Sequence, residues 1–204
     1  VYLECETETR KHILAFLPAT LHAGRVRETL SWPVLNLHAY DTALPGARMK
    51  PMRNVRGRFL REHSLDITVP DTVPKPELHA IVDAWKKNRP ATHRAYAAEY
   101  HALIDDNFTG TSGTSVFLVD GRPEALSGGW PVPNSAGYYH ALALHTYRHW
   151  GLGEMLMLES LSRMKADGYA FANLGGSDTN LLAFKKKFGE ISVYTTCGFS
   201  VVRR

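Results

Sequence analysis

The sequence predicts a mixed α/β fold in two lobes, and three observations lead there. Apolar residues make up 44% of a 204-residue chain, enough for a proper core. Helical and strand periodicities follow one another without the regular strand-helix repeat of a doubly wound domain. The stretch "PDTVPKP" at 70–76 places three prolines in seven residues between a strand pattern and a helix pattern, which marks a boundary near residue 74.

The elements follow in order. "VYLECE" alternates as a strand, "RKHILAFLP" and "GRVRETL" read as short helical pieces around Pro18, and "PVLNLHAY" is a buried strand run. In "DTALPGARMKPMRNVRGRFLREH", Pro45, Gly46 and Pro51 break the start. From Arg53 onward Val55, Phe59 and Leu60 form an apolar stripe surrounded by Arg53, Arg56, Arg58 and Arg61. "SLDITVP" closes this part as a strand. Beyond the prolines, Leu78, Ile81, Val82 and Trp85 share one face of a helix whose first turn carries Pro76 and Glu77. "HRAYAAEYHALIDDN" is a second helix on Ala97, Tyr100 and Ile104. "TSVFLVDGRPEALSGGWPV" is a hairpin turning at Asp120-Gly121, and "GYYHALALH" is a further strand. "GLGEMLMLESLSRMKADG" is a long helix ending at Gly168, "YAFANL" a strand, "TNLLAFKKKFG" a helix, and "ISVYTTCGFSVVR" the closing strand pair. A weak internal echo supports duplication: Leu35-Asn36-Leu37 and Asn173-Leu174 each end a strand before a basic helix, carrying Phe59 in one case and Phe184 and Phe188 in the other.

The net charge of +4 and a pI near 9.1 permit an anionic partner without demanding one. Ten histidines are scattered, and no pair has the helix spacing plus carboxylate of a zinc site, so no metal is expected. Cys5 and Cys197 lie far apart in sequence and read as two reduced, partly buried thiols, which suits a cytoplasmic location. No apolar run approaches the roughly 18 residues of a membrane span, and "VYLECETETRK" lacks the layout of a secretory leader. The chain begins with Val inside a strand pattern, so upstream residues are expected to be missing, and any membrane association is assigned to such segments.

Two stretches carry chemistry. Arg148, Gly151 and Gly153 stand in the spacing R-x-x-G-x-G between a strand and a long helix. A glycine turn opening a helix offers backbone N–H groups and the positive end of the dipole to an anion, or else simply allows a tight, closely packed turn. In "NLGGSDTNLLAFKKKFGE", Leu181, Phe184 and Phe188 face the core at helical spacing. Lys185 then sits at the border of that face, able to carry its ammonium into an adjoining cleft, and Lys186 points toward solvent. The bland alternative for all three lysines is a solvated face. Asp178 follows the Gly175-Gly176 turn, where it or Ser177 caps the helix starting near Thr179, or where it binds or deprotonates an acceptor amine. His140 and His145, five apart on one strand, point to opposite faces, so at most one looks into a cleft.

The order of elements from residue 75, with "HTYRHWGLGEML" at the loop, resembles the GNAT acyltransferase fold and its pyrophosphate-binding loop. More specifically, "LPGARMKPMRNVRGRFLREH" with "NLGGSDTNLLAFKKKFG" resembles the C-terminal catalytic domain of phosphatidylglycerol lysyltransferases, and the Phe184-Lys185 pair is similar to that of the Fem peptidoglycan aminoacyltransferases. The resemblance covers residues 35 to 203. It implies a partial GNAT-like lobe over 1–73 and a complete one over 75–204. It also implies direct aminoacyl transfer from an aminoacyl-tRNA end to an amine or hydroxyl of a small-molecule, peptide or lipid acceptor, with no tightly bound cofactor.

Lys185, Asp178 and His145 are then the catalytic candidates, and Arg148, Gly151, Gly153, Phe184 and Asn173 the donor-binding ones. Oxyanion stabilisation would come from Lys185 and from backbone N–H groups near Ala143 to His145. Many acetyl-CoA-dependent members carry a tyrosine acid in a stretch resembling F-Y-x-x-x-G-F, where this chain has Lys185 in "AFKKKFGE". That departure leans away from a thioester donor, although the intact glycine loop keeps an acyl-CoA N-acyltransferase as the runner-up. A non-catalytic RNA-binding or interaction module is the third alternative, opposed by the modest charge and by the lack of a concentrated aromatic-basic strand motif. No Ser/His/Asp or Cys/His motif in the sequence argues for an acyl-enzyme.

Overall fold

In the computed structural model, which describes residues 1–89 and 96–204, the two ends of the chain pair with each other. The strands β1 (Tyr2–Glu6), β2 (Leu21–Asn36) and β8 (Ile191–Arg203) form an antiparallel ladder with β8 in the middle, joined to both of the others. Helix α1 (Thr7–Ala15) follows β1 directly. Two sequence expectations are corrected here. "GRVRETL" is strand, not helix, because Val26 and Thr29 take register opposite Phe199 and Cys197, and β-branched residues fit a paired, half-buried ladder better than a helix turn. The closing strand pair is one 13-residue strand. Gly198 lets it pass within a sheet, since a Cβ there would fall on the Tyr2 side chain.

Residues 1–35 with 173–204 make one compact unit and 36–172 the other. The second unit is built on the antiparallel neighbours β3 (Leu65–Thr68), β4 (Ser112–Val119), β5 (Arg122–Pro131) and β6 (Gly137–His145). The β4–β5 turn at Asp120-Gly121 has φ of 51° and 76°, the left-handed pair that a tight hairpin requires. Helices α3 (Lys75–Lys87) and α4 (Ala97–Asp105) lay Leu78, Ile81, Val82, Trp85, Ala97 and Ile104 onto Val116, Leu126, Leu142 and Leu144, and together these form a buried core. The expected apolar face of α3 is therefore the one that is buried. Of the second helix expected over "HRAYAAEYHALIDDN", residues 93–95 lie outside the described residues. Helix α2 (Lys50–Glu62) begins three residues before Arg53 and buries Met52, Val55 and Phe59, while Leu60 stays 51% exposed.

The prolines at 70–76 do not separate the two compact units. Pro70 opens a short 3₁₀ turn, Pro74 caps α3, and the strand before them pairs with β4 after them. Proline is tolerated at a helix start because its missing N–H would be unpaired there anyway. The stretch thus turns the chain within one unit. Helix α5 (Leu152–Ala166) and strand β7 (Phe171–Asn173) follow, and α6 (Thr179–Lys185) leads into a 3₁₀ turn, Lys186–Phe188.

The core assignment has a direct test in urea denaturation. Ile81→Ala, at a position 1% exposed, should cost about 2–5 kcal/mol. Leu60→Ala should cost no more than about 0.5 kcal/mol.

Candidate functional site

The first half of the site is a turn that the sequence shapes residue by residue. Asn173 ends β7, its side-chain oxygen accepts the Gly175 N–H at 3.0 Å, and its amide donates to the Tyr194 hydroxyl at 3.0 Å. Gly175 has φ of 81°, and Gly176 lies so close to Leu30 that a Cβ would come within 3.0 Å of that side chain. Ser177 is pinned through its carbonyl, which accepts the Ser31 N–H at 3.1 Å, and its hydroxyl donates to the Gly175 carbonyl at 3.0 Å. Asp178 caps α6 by accepting the Leu181 N–H at 2.8 Å, one of the two roles the sequence allowed.

Onto this turn Lys185 lays its ammonium. Its Nζ donates to the Gly175 carbonyl at 3.0 Å and to the Ser177 hydroxyl at 2.9 Å, and the residue is only 7% exposed. The border position expected for Lys185 is corrected. Helix α6 tightens into the 3₁₀ turn after Lys185, where residues three apart eclipse, so Lys185 and Phe188 share the buried side. Phe184 is half-buried, packs edge-on against Phe188 at 5.2 Å, and lies under the Lys187 ammonium at 5.1 Å. Lys186 and Lys187 are exposed.

The other candidates lie in the unit formed by residues 36–172. Gly151 caps α5 with φ of 82°, and a Cβ there would come within 2.9 Å of Val55. A Cβ on Gly153 would come within 3.0 Å of the His145 ring. Both glycines therefore satisfy close packing. Arg148 donates to the carboxylate of Glu124 at 3.0 Å, and Glu124 is 2% exposed. The same carboxylate accepts from the Thr146 hydroxyl. Glu124 is a partner the sequence reading missed. Its signal was a lone acid beside "ALS" in a strand that proves buried on both faces.

The opposite faces expected from the spacing of His140 and His145 are corrected: the β5–β6 register shifts between Gly128 and Gly129, and the extra residue puts both rings on the α5 side, His140 beside Ser127 and His145 against Gly153. Nδ1 of His145 accepts the Tyr147 N–H at 3.3 Å, so the ring's proton sits on Nε2, and burial, aided by the Arg89 charge, pushes its pKa down to about 4. His140 is buried and hydrogen-bonds the Ser127 hydroxyl at 2.9 Å, which in turn meets the Ser160 hydroxyl at 2.6 Å. These three residues, with Ser115 and Arg163, line a cavity of about 30 Å³, room for a water molecule rather than a substrate. Among the described residues no group of three or more His, Cys, Asp or Glu is placed to hold a metal ion, and no helix is long and apolar enough to cross a membrane.

This fold and these elements define a GNAT-like acyltransferase architecture. The model of the family "Phosphatidylglycerol lysyltransferase, C-terminal" matches residues 33–190, and the chain belongs to that family. It is similar to the structure of L-PGS from Bacillus licheniformis, with TM-score 0.66, 15% identity, and coverage of 95% of this chain and 65% of that one. A conserved Bacteroides thetaiotaomicron protein of unknown function is similar at TM-score 0.70 and 17% identity, with coverage of 97% and 68%. A tandem GNAT protein from the clavulanic acid biosynthesis pathway is similar at TM-score 0.52 and 13% identity, with coverage of 98% and 59%. The chain thus spans 59% to 68% of the length of these proteins. No curated protein sequence matches it.

His145 makes a pH prediction whose sign is fixed. Its folded pKa lies below its unfolded value, so the unfolded chain takes up the proton first, and the stability from keeping this ring neutral is lost as pH falls from about 6.5 toward about 4. The full effect is on the order of 3 kcal/mol. Denaturation of His145→Gln between pH 7.5 and 4.5 should show a flatter acid limb than the parent; parallel limbs would remove His145 as the cause.

Proposed function

We propose that the chain transfers an aminoacyl group from the ester at an aminoacyl-tRNA end to a hydroxyl of an anionic phospholipid. The observation that carries this reading is the ammonium of Lys185, held buried on the Gly175–Ser177 turn, inside the segment that matches the lysyltransferase family. Burying a charge is costly, and an apolar residue would pack α6 at lower cost, so a retained lysine points to electrostatic work. The acceptor oxygen attacks the ester carbonyl carbon directly and its proton leaves toward solvent. The tetrahedral oxyanion then collapses, breaking the bond to the terminal ribose oxygen, which takes up a proton. Lys185 stabilises the negative charge at that stage. Asp178, beside the same turn, is the acceptor-side candidate, and Asn173 and Phe184 frame the donor side. The glycine loop after His145 favours an acyl-CoA donor as the competing reading, although Arg148 is already paired with Glu124.

Labelled lysyl-tRNA and acetyl-CoA, each incubated with the chain and phosphatidylglycerol vesicles, separate the two readings. Label entering the lipid from the tRNA alone is the expected result, and acyl transfer from the CoA donor alone would install the competitor. Lys185→Ala should lower the aminoacyl rate by roughly two to three orders of magnitude. It should also cost about 1–3 kcal/mol of stability, because its buried acceptors lose a donor. Rates are therefore compared well below the variant's melting temperature. Lys186→Ala and Lys187→Ala should leave both quantities nearly unchanged, and equal small rate effects for all three would end the assignment of Lys185.

A further inference from the structure

The chain contains two cysteines, Cys5 near its start and Cys197 near its end. The fold makes them direct register partners across β1 and β8. Register partners in an antiparallel ladder have Cα atoms about 4.5–5.5 Å apart, within the span of about 4.4–6.8 Å that a disulfide bridges. Their thiols are within hydrogen-bonding reach of one another, and both are free. Cys5 is partly exposed and Cys197 is buried at 5% exposure. We propose that Cys5 and Cys197 form a reversible disulfide that clamps β1 to β8, a redox modification site joining the two ends of the chain.

Val1 and Val201 exchange both of their backbone hydrogen bonds, at 2.9 and 2.7 Å. Ladder pairs alternate, so Leu3 with Phe199 and Cys5 with Cys197 belong to the same hydrogen-bonded class. Opposed Cβ atoms in that class stand toward the far end of about 4.5–5.5 Å, whereas a relaxed disulfide wants about 3.5–4.5 Å. The strands must draw together locally, and a strained bridge of this kind is readily reduced. The clamp is accordingly a reversible one rather than a permanent staple.

The oxidant is a small disulfide such as oxidised glutathione. The Cys5 thiolate attacks one of its sulfurs and expels a thiolate, giving a mixed disulfide. Cys197 then loses its proton to solvent and attacks the Cys5 sulfur, expelling the second thiolate. Two protein thiols are oxidised and one small disulfide becomes two thiols. Burial and the neighbouring Cys197 raise the Cys5 pKa, so the reaction is expected to quicken from neutral to alkaline pH.

The test is intact-mass measurement of the full chain after incubation in oxidised glutathione, with N-ethylmaleimide blocking remaining thiols. The expected product is lighter than the parent by two hydrogens, takes no maleimide until reduced, and melts several degrees higher, since the bridge closes nearly the whole chain into one loop. Dithiothreitol should reverse all three changes, and Cys5→Ser or Cys197→Ser should abolish them. Two maleimide adducts after oxidation, a glutathione adduct as the sole product, or a bridge only between chains would each overturn the proposal, and these outcomes need no variant.

Discussion

The carboxylate of Glu124, 2% exposed in β5, constrains the loop that joins β6 to α5. A buried carboxylate must be given donors or lose its charge. The loop supplies two of them, the Thr146 hydroxyl and the Arg148 guanidinium, and the Thr146 N–H adds a bond at 3.0 Å to the Glu124 backbone carbonyl. Presenting residues two apart to one carboxylate forces the residue between them, Tyr147, into the left-handed region at φ of 62°. The chain then recovers its direction at Gly151. The spacing that reads as an anion-binding loop is thus first the spacing that satisfies Glu124, and the exposed arginine of the motif is already committed to it.

Lys185 presents the opposite case, a buried cation on a carbonyl and a hydroxyl oxygen. Arg148 keeps its side chain 63% exposed and lends charge to a buried partner, so water still solvates much of it. Lys185 has given up most of its water, and the fold has arranged the Gly175–Ser177 turn to compensate. Local chemistry, not the lysine run as a whole, distinguishes it from Lys186 and Lys187.

Much of the fold was legible because its signals are periodic or conformational. The face Leu78, Ile81, Val82 and Trp85, the Asp120-Gly121 hairpin and the cap at Asp178 each follow from spacing or from a backbone preference, and each is found as expected. The failures lie where distant pairing or a local change of helix type decides the outcome. "GRVRETL" became strand only because β8, at the far end of the sequence, lies beside it. The depth of Lys185 depended on a change from 3.6 to three residues per turn, which no helical wheel anticipates. Glu124 was passed over, and Ser177 was read only as a possible cap, because the importance of each lies in a partner that composition and spacing do not reveal.

The internal echo gains a physical meaning from the asparagines. Asn36 accepts the N–H of His38 at 3.0 Å, and Asn173 accepts that of Gly175 at the same distance and the same separation of two residues. An asparagine in this role imitates a backbone turn and releases the chain from its strand. After Asn36 the chain needs a further loop before α2, whereas after Asn173 it reaches the cap of α6 within five residues. The shorter path obliges the second turn to close on itself, with Ser177 folded back onto the Gly175 carbonyl. That closure creates the pair of oxygens on which a lysine ammonium can be buried, so the difference in loop length, more than the shared asparagine, accounts for Lys185 being held where it is.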